Sequence, residues 1–397
     1  MKIVSLTRTG MGRAEDGSLV PRVLPGEEVE ITDAGPRILT PSADRVAAPC
    51  RHFRTCGGCV AQHGSDEFVA EWKRGILRTA LDARGIDVEI AGVLTSPPES
   101  RRRAKLAGRR TKKGAIVGFH GWRSDDVVAT PECAVLHPRL RAVMPVLERL
   151  TRLAATRTTD AAFEVMDSAA GVDLAVISPR DLTEALRAEV PEVCAGGGLA
   201  RITWNGEPLA TFAPPGVPMG RAMVIPPPGA FLQATAEGEA ALAARVAEVV
   251  AGAGRVVDLF AGCGTFALRL AEDAEVHAVE GDEGLLLALD QGWRRADGLK
   301  RVTTEARDLF RRPLLPEELN RFDAAIIDPP RAGAEAQIAE LARSDLKTVA
   351  MVSCNPVTFA RDAAALIEAG FAAGPVTIVD QFRWSAHLEM VAGFRRS

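Results

Sequence analysis

Long apolar runs are missing from this sequence of 397 residues. No segment approaches the roughly 18 consecutive apolar residues of a membrane span, and the N-terminal MKIVSLTRTGMGRAEDG has no apolar core of signal-peptide length. We therefore expect a cytoplasmic protein without a membrane partner. With 47% hydrophobic and 25% charged residues, the composition is typical of a globular protein, and the length predicts two or three domains.

An excess of positive charge is also missing, since the net charge is -4 and the isoelectric point is near 6.0. Such a chain has no overall attraction to nucleic acid. Residues 101–114, RRRAKLAGRRTKKG, differ because they hold eight basic residues and no acid. We call this segment the basic stripe. Charged runs are often only solvated surface, but Phe119, His120, Trp122 and Arg123 follow, and basic residues with aromatics suit phosphate contacts and stacking on unpaired bases.

Cysteines are few and odd in number. Seven cysteines with three of them clustered do not resemble a secreted disulfide framework, and such a cluster more often binds a metal or performs chemistry. Four of them could form one tetrahedral site, and a structural zinc is the first interpretation from spacing alone; they are Cys50, Cys56, Cys59 and Cys133. Cys194 and Cys263 have no such neighbours in sequence, so we expect both to be structural.

The distribution of turn residues and apolar runs divides the chain into three parts. Residues 1–45 have short alternating segments and an Asp16-Gly17 turn, which predict a small β-barrel or part of one. Residues 46–215 are mixed α+β, with a helix predicted around DEFVAEWKRGILRTALDARG. From residue 216 to 397, after the proline-rich AMVIPPPGAF, helices and strands alternate as in a doubly wound parallel sheet. The predicted fold class is therefore α/β, with two smaller domains before a Rossmann-like domain.

A glycine-rich turn in VVDLFAGCGTFALRLA follows the first strand of that alternation. Gly262 and Gly264 would let a ligand approach the backbone at a helix N-terminus. Glu280 ends the next strand, where an acid can bind both ribose hydroxyls. The three-glycine dinucleotide pattern and the P-loop lysine are missing, which disfavours nicotinamide and nucleoside triphosphates. The arrangement resembles the first motif of class I S-adenosylmethionine-dependent methyltransferases, although tight packing alone could also explain the glycines.

Two later strand ends carry further chemistry. Asp328 begins DPPR, where Arg331 stands in place of the aromatic residue usual in amino-directed methyltransferases. Cys354 lies in SCNP at the next strand end. A thiolate that adds to carbon 6 of a pyrimidine activates carbon 5 for methylation, and a base must then remove the carbon 5 proton. Glu389 lies in a strand-like run where a carboxylate is unusual unless paired or used, and His387 is a second candidate base.

The motifs DLFAGCGTF, IIDPPRAG, SCNP and HLEMVA together resemble those of the RNA uracil-5 methyltransferases, which make 5-methyluridine in ribosomal and transfer RNA. The similarity extends over residues 1–397. It implies that Cys354 is the nucleophile and Glu389 the base. It also implies a set of contacts to the cofactor, with Gln233 and Asp328 as alternative contacts to uracil: Gln233, Phe260, Thr265, Glu280, Asp308 and Asp328. A carboxylate that accepts the N3 proton would favour uracil over cytosine.

The same resemblance bears on the cysteines and the N-terminus. The C-x5-C-G-G-C pattern is similar to the iron-sulfur site of the ribosomal-RNA branch, which implies a 4Fe-4S cluster on the four cysteines, with zinc as the alternative. The N-terminal part resembles a shortened TRAM domain, an RNA-binding β-barrel. Two positions differ from the family pattern, because Thr265 replaces an asparagine and Arg383 replaces a proline.

These features predict an S-adenosylmethionine-dependent enzyme that methylates carbon 5 of a uridine in RNA. We expect 23S ribosomal RNA as the substrate because of the cysteine pattern, with transfer RNA as the alternative, a flipped target base and a monomeric protein. An RNA-binding or redox-responsive scaffold without turnover is the competing hypothesis. A DNA cytosine methyltransferase is disfavoured because its cysteine follows a proline, whereas Ser353 precedes Cys354.

Overall fold

The computed structural model describes residues 1–33 and 35–397. Its N-terminal part is β-rich, with an antiparallel three-stranded sheet and a separate hairpin. The strands are β1 (Ile3–Leu6), β2 (Met11–Ala14), β3 (Leu19–Pro21), β4 (Glu28–Thr32) and β5 (Gly35–Thr40). A bridge between Lys2 and Glu28 joins the two sheets. The predicted Asp16-Gly17 turn connects β2 and β3, with Gly17 at φ 85°, a conformation that glycine adopts without strain.

The predicted helix after the cysteine cluster is α1 (Asp66–Asp82), and the strand β6 (Ile90–Thr95) follows it. Ser65 caps α1, since its hydroxyl accepts from the backbone N–H of Phe68 at 3.2 Å. The apolar face of α1 packs in the same core as the C-terminal sheet, and β6 is an edge strand of that sheet, parallel to residues 376–380. Helix α1 and strand β6 therefore belong structurally to the C-terminal domain, although the sheet of the middle domain follows them in sequence.

The middle of the chain forms a seven-stranded sheet in the order β13-β12-β11-β10-β7-β8-β9. Its elements are β7 (Arg103–Arg110), β8 (Ala115–His120), β9 (Val127–Ala129), α2 (Pro138–Ala142), α3 (Met144–Ala154), β10 (Ala161–Ser168), β11 (Gly171–Ile177), α4 (Glu184–Cys194), β12 (Leu199–Trp204) and β13 (Glu207–Thr211). The helices bury their apolar faces against one side of this sheet in a core of its own.

The remaining residues alternate between helices and strands. The elements are β14 (Val217–Met219), β15 (Ala222–Val224), α5 (Ala236–Val249), β16 (Arg255–Leu259), α6 (Ala267–Leu270), β17 (Glu275–Glu280), α7 (Glu283–Arg294), β18 (Val302–Ala306), α8 (Pro316–Leu319), β19 (Ala324–Ile327), α9 (Glu335–Arg343), β20 (Thr348–Ser353), α10 (Pro356–Glu368), β21 (Ala372–Ala373), β22 (Val376–Asp380) and β23 (Glu389–Arg395).

The C-terminal sheet has the order β18-β17-β16-β19-β20-β23-β22-β6, with β21 paired to β23. Strands β16 to β20 are parallel, and β23 is antiparallel to both of its neighbours β20 and β22. The central strands are continuously apolar because helices cover both faces. The predicted doubly wound, Rossmann-like domain is confirmed. Within the described residues, no helix is long and apolar enough to cross a membrane.

The strand order brings the ends of several strands together at the carboxyl end of the parallel sheet, here called its ligand edge. In a doubly wound sheet the ligand crevice lies outside the carboxyl ends of the parallel strands. The residues that follow β16, β17, β19 and β20 therefore meet there, together with the first residue of the antiparallel strand β23. This edge holds the predicted glycine turn, Glu280, Asp328, Cys354 and Glu389.

Candidate active site

The glycine turn after β16 is tightly constrained. Gly262 and Gly264 have φ angles of 55° and 93°, which favour glycine. A Cβ on Gly264 would lie 2.8 Å from Cγ of Leu289, so packing excludes a side chain as well. Glu280 accepts hydrogen bonds from the backbone N–H groups of Gly262 at 3.0 Å, Gly281 at 2.6 Å and Asp282 at 3.2 Å. The acid thus fixes the turn, and one of its roughly four acceptor sites stays open to a ribose hydroxyl.

Asp258 is the fully buried acid of β16. Its Oδ2 accepts from the N–H of Ala267 at 3.0 Å, while Oδ1 has no hydrogen-bond partner among residues 1–33 and 35–397. Burial, and then the nearby acids Asp328 and Glu280, raise the pKa of Asp258 to about 8. Asp258 and its acid neighbours Asp328 and Glu280, together called the acidic floor, therefore lie where an added positive charge would favour the ionised form of Asp258.

Phe260, in the glycine turn, contacts the segment that follows β18. Phe260 has φ 62°, and its ring centroid lies 5.3 Å from that of Phe310. Asp308 accepts from the N–H of Phe310 at 3.0 Å, which orients the loop. Thr265 is half-buried in the glycine turn. The predicted cofactor residues Phe260, Thr265 and Asp308 therefore lie in the glycine turn and in the segment after β18, and the Phe260–Phe310 pair joins these two segments.

Cys354 directly follows β20 and begins a rigid turn. The Asn355 side chain caps α10 by accepting from the N–H of Val357 at 3.2 Å, and its Nδ2 donates to the carbonyl of Arg331 at 2.9 Å. Pro356 occupies the first helical position, where its missing N–H costs nothing. The SCNP turn and the DPPR turn are thus bonded to each other, which fixes Cys354 relative to Asp328.

Charged groups of opposite sign shift the pKa of Cys354 in opposite directions. Burial, Glu389 and Asp328 raise the pKa of the half-buried thiol to about 11, whereas Arg331 lowers it. Burial, followed by Asp328, raises the pKa of Glu389 well above its usual value, again opposed by Arg331. Burial raises the pKa of Asp328 to about 7. The thiol, two acids and one guanidinium therefore lie close enough to influence one another's protonation.

Gln233 belongs to this group of side chains, and Gln381 holds it in place. Nε2 of Gln381 donates to Oε1 of Gln233 at 2.6 Å, while Oε1 of Gln381 accepts from the N–H of Thr235 at 3.3 Å. Nε2 of Gln233 is thereby directed toward Oδ2 of Asp328, 3.5 Å away. Both glutamines are buried. Sequence reasoning missed Gln381, although its place immediately after β22, in DQF, was a usable signal.

The loop 381–388 between β22 and β23 contacts both the side chains around Cys354, through Arg331, and the cavity of the four cysteines. His387 points its Nδ1 at the Arg331 guanidinium, 3.3 Å away. Arg383, which stands in the family's proline position, pairs with Asp66 and donates to the carbonyl of Ser96 at 3.1 Å. The substitution therefore brings its own contacts, which attach the loop to residues before β7.

The four clustered cysteines line one cavity of ≈ 360 Å³, together with Arg101, the loop residues Arg383, Ser385 and His387, and others. Burial raises the pKa of Cys59 to about 12 and also raises the pKa values of Cys56 and Cys133, with the neighbouring thiols adding to each increase. In the part of the chain that the structure describes, no group of three or more His, Cys, Asp or Glu is placed so that it could hold a metal ion. Cys194 and Cys263 lie buried elsewhere.

The basic stripe is less free than its composition suggests. Arg102 is buried, pairs with Glu239 and donates through Nε to the carbonyl of Gln233 at 3.1 Å. Arg109 pairs with Asp160 at 2.8 Å. Other members remain exposed at the turn between β7 and β8: Arg110, Lys112 and Lys113. Part of the stripe thus supports the active site, and the turn keeps positive charge at the surface.

Comparison with known proteins identifies the family. A family model described as tRNA (Uracil-5-)-methyltransferase matches residues 295–395, which include Asp328, Cys354 and Glu389. An RNA methyltransferase of Brucella suis, described as uncharacterized, is 43% identical over 389 residues, covering 96% of this chain and 94% of that protein. The 23S rRNA (uracil(1939)-C(5))-methyltransferase RlmD of Halomonas elongata is 33% identical, covering 96% of this chain and 85% of that one. The chain belongs to the RNA uracil-5 methyltransferase family.

A solved member of the uracil-5 methyltransferases has the same fold. The tRNA (uracil-54, C5)-methyltransferase of Pyrococcus abyssi, in complex with S-adenosyl-L-homocysteine, matches with a TM-score of 0.76 at 22% identity, covering 99% of this chain and 98% of that chain. Family membership confirms the predicted enzyme class, the use of S-adenosylmethionine and RNA as the substrate.

Proposed function

We propose that this uracil-5 methyltransferase transfers a methyl group to carbon 5 of a uridine in 23S ribosomal RNA, with Cys354 as nucleophile and Glu389 as base. The observation that carries the proposal is the convergence of Cys354, Glu389 and Asp328, whose charges act on one another's pKa values. The name of the Halomonas relative supports 23S ribosomal RNA. Transfer RNA is the second candidate, because the matching family model is described by it.

The uracil edge would be held by two side chains. The Asp328 carboxylate accepts a hydrogen bond from N3–H, and the Gln233 amide donates to the O4 carbonyl. The bond from Gln381 to Oε1 of Gln233 leaves the Gln233 amide nitrogen as the group that faces the pocket. This pattern rejects cytosine, which has no N3 proton. Base recognition therefore depends on a glutamine pair and one acid.

The methyl donor would lie over the acidic floor. Its nucleoside would contact Phe260, Thr265, Glu280 and Asp308, and its reacting atoms would lie beside Gln233 and Asp328. S-adenosylmethionine supplies an electrophilic methyl group on a positively charged sulfonium. Asp258, whose pKa is raised to about 8 by burial and neighbouring acids, gains a favourable interaction when a cation enters.

The reaction would start with the Cys354 thiolate adding to carbon 6 of uracil. The new carbon–sulfur bond makes carbon 5 nucleophilic. Carbon 5 would then take the methyl group of S-adenosylmethionine, and S-adenosylhomocysteine would leave. Arg331 favours the thiolate, because a nearby guanidinium lowers the pKa of the thiol. Glu389 then accepts the proton from carbon 5, and the carbon–sulfur bond breaks to regenerate the cysteine.

Glu389 fits the role of base better than His387 does. The raised pKa of Glu389 makes its carboxylate a stronger proton acceptor than an exposed glutamate. The Nδ1 atom of His387 instead faces a donor, the Arg331 guanidinium at 3.3 Å. A ring nitrogen that accepts this hydrogen bond is not free to take a proton from carbon 5.

We propose a 4Fe-4S cluster on the four cysteines, with a structural zinc ion as the alternative. The four thiols line one cavity, and their C-x5-C-G-G-C pattern resembles the iron-sulfur site of the ribosomal-RNA branch of the family. Arg101 lies close enough to Cys59 and Cys133 for their thiolates to influence its pKa, so it could offset the negative charge of such a group. Cys50, Cys56, Cys59 and Cys133 would be its ligands.

Iron analysis tests this assignment. We expect about four iron atoms per chain after anaerobic purification, with loss of iron in Cys133→Ser and retention in the control Cys194→Ala. Stoichiometric zinc without iron in the wild-type protein would contradict the cluster. Size-exclusion chromatography of the same sample tests the expected monomer.

The function itself is tested with methyl-labelled S-adenosylmethionine and unmodified transcripts of 23S ribosomal RNA and transfer RNA. We expect label in 5-methyluridine of the 23S transcript, no label with Cys354→Ala, and full activity with Cys194→Ala as the matched cysteine control. Glu389→Gln should accumulate a covalent protein–RNA adduct that survives denaturation. Absence of label in the wild-type reactions, or label that persists in Cys354→Ala, would contradict the proposal.

A further inference from the structure

Lys73 is a completely buried lysine of α1 that no step of the proposed reaction uses. Its ammonium group donates to Oδ1 of Asp380 at 2.5 Å, to the carbonyl of His387 at 2.8 Å and to the carbonyl of Phe382 at 3.2 Å. Both side chains of the Lys73–Asp380 pair are 0% exposed. A lysine ammonium has three N–H donors, so all of them are used on residues 380–387.

These three acceptors lie at the two ends of the loop 381–388. Asp380 is the last residue of β22, and Phe382 follows two positions later. At the other end, His387 lies two positions before Glu389, which begins β23. Asp380 also accepts from the N–H of Phe382 at 3.0 Å. One side chain from a distant helix therefore connects the entry and the exit of the loop that leads to the proposed base.

The loop also determines the positions of Gln233 and Glu389, the proposed uracil contact and the proposed base. Gln381, next to Asp380, orients Gln233 through the 2.6 Å hydrogen bond between their side-chain amides. Glu389 pairs with Val379 in the β22–β23 ladder, so its position depends on how the loop closes that hairpin. A shift of the loop would move the base and the uracil-binding amides together.

Stability alone does not explain a lysine at this place. A buried ion pair can often be replaced by apolar side chains of similar volume without loss of stability. The pair is also incompletely satisfied, because Oδ2 of Asp380 is buried without a hydrogen-bond partner in the described part of the chain. What an apolar replacement could not supply is the simultaneous bonding of two backbone carbonyls across the loop.

We propose that Lys73 is a positioning residue that fixes the loop 381–388 so that Glu389 can remove the proton from carbon 5. This inference rests on the proposed role of Glu389. It predicts that the loss of Lys73 slows proton removal more than it weakens binding of RNA or cofactor.

The test compares Lys73→Met and the double variant Lys73→Met/Asp380→Asn with the wild-type protein on the 23S transcript. The double variant leaves no unpaired charge buried, and its asparagine still accepts from Phe382. The matched control is Arg201→Met, which breaks another largely buried ion pair, with Asp173 at 2.6 Å, in the middle sheet. Turnover is normalised to folded protein, and kcat, KM for RNA and the fraction of covalent adduct are measured.

We expect kcat of the double variant to fall about 100-fold, the effect typical of a misplaced catalytic group. KM for RNA should change by a smaller factor than kcat, and the adduct should accumulate as in Glu389→Gln, whereas Arg201→Met keeps wild-type kcat and no adduct. Hydrogen exchange should be faster in residues 381–388 of the double variant. Equal kcat in the double variant and Arg201→Met, or slow turnover without adduct, would overturn the inference while leaving the function intact. A wild-type protein that forms no 5-methyluridine would overturn both.

Discussion

The burial of Asp258 leads us to predict how the free energy of unfolding changes with pH. Its folded-state pKa of about 8 lies far above the ordinary value of 3.8 that applies in the unfolded chain, so the folded protein binds the proton more tightly than the unfolded chain. The folded state therefore loses stability as the pH rises above 3.8, and the loss is complete above pH 8. Asp258→Asn removes this titration while its amide oxygen can still accept from Ala267.

The magnitude follows from the size of the pKa shift. One pKa unit corresponds to about 1.4 kcal/mol. Between pH 6 and pH 8 the group is largely protonated in the folded state but ionised in the unfolded chain, so the wild-type free energy of unfolding should fall by about 2 kcal/mol more than that of Asp258→Asn. The variant should thus gain stability relative to wild type as the pH rises.

The assay is urea unfolding followed by circular dichroism at pH 6, 7 and 8, without cofactor. Asp16→Asn, in the exposed turn between β2 and β3, is the control and should follow the wild-type pH profile. Parallel pH profiles for wild type and Asp258→Asn would contradict the raised pKa of Asp258. They would mean that ionised Asp258 does not destabilise the folded protein, so a cationic cofactor could not stabilise the protein by neutralising that charge.

Three further substitutions probe the crevice. Arg331→Met should slow adduct formation, since loss of the guanidinium raises the pKa of Cys354, the proposed nucleophile, and higher pH should restore part of the rate; a pH-independent loss in single-turnover experiments would contradict this role. Gln381→Leu should lower kcat/KM about 10-fold or more, because Gln233 loses its orienting bond; unchanged kcat/KM would contradict the predicted uracil contact. Gly264→Ala should lower the melting temperature and cofactor affinity more than Gly252→Ala, because both glycines have positive φ but only Gly264 has a neighbour within 4 Å of an added Cβ; equal effects by calorimetry would contradict the packing argument.

The parallel sheet and its ligand edge were predictable because their signals are local. Alternating strands and helices fix a doubly wound sheet, and the carboxyl ends of its strands must share one edge. The positions of Glu280, Asp328 and Cys354 at that edge follow from this rule. The resemblance to a known family was needed to assign Glu389, because a carboxylate in an antiparallel strand does not by itself reveal what it faces.

The long-range contacts could not be predicted in the same way. Lys73 and Asp380 are 307 positions apart, and nothing near either residue indicates that they pair. Arg102 looked like part of a nucleic-acid surface, yet its acid partner Glu239 lies 137 positions away. Composition shows that charges are present, but only the fold shows which of them are already neutralised inside the protein.

The most direct test of the proposed mechanism is to trap the Cys354 adduct. A 23S ribosomal RNA fragment containing 5-fluorouridine is incubated with the wild-type protein and S-adenosylmethionine, and the linked peptide is mapped by mass spectrometry. Fluorine at carbon 5 cannot leave as a proton, so the carbon–sulfur bond should persist. We expect a methylated fluorouridine attached to Cys354 and no adduct in Cys354→Ser. An adduct on another residue, or none on an RNA whose uridine form is methylated, would contradict it.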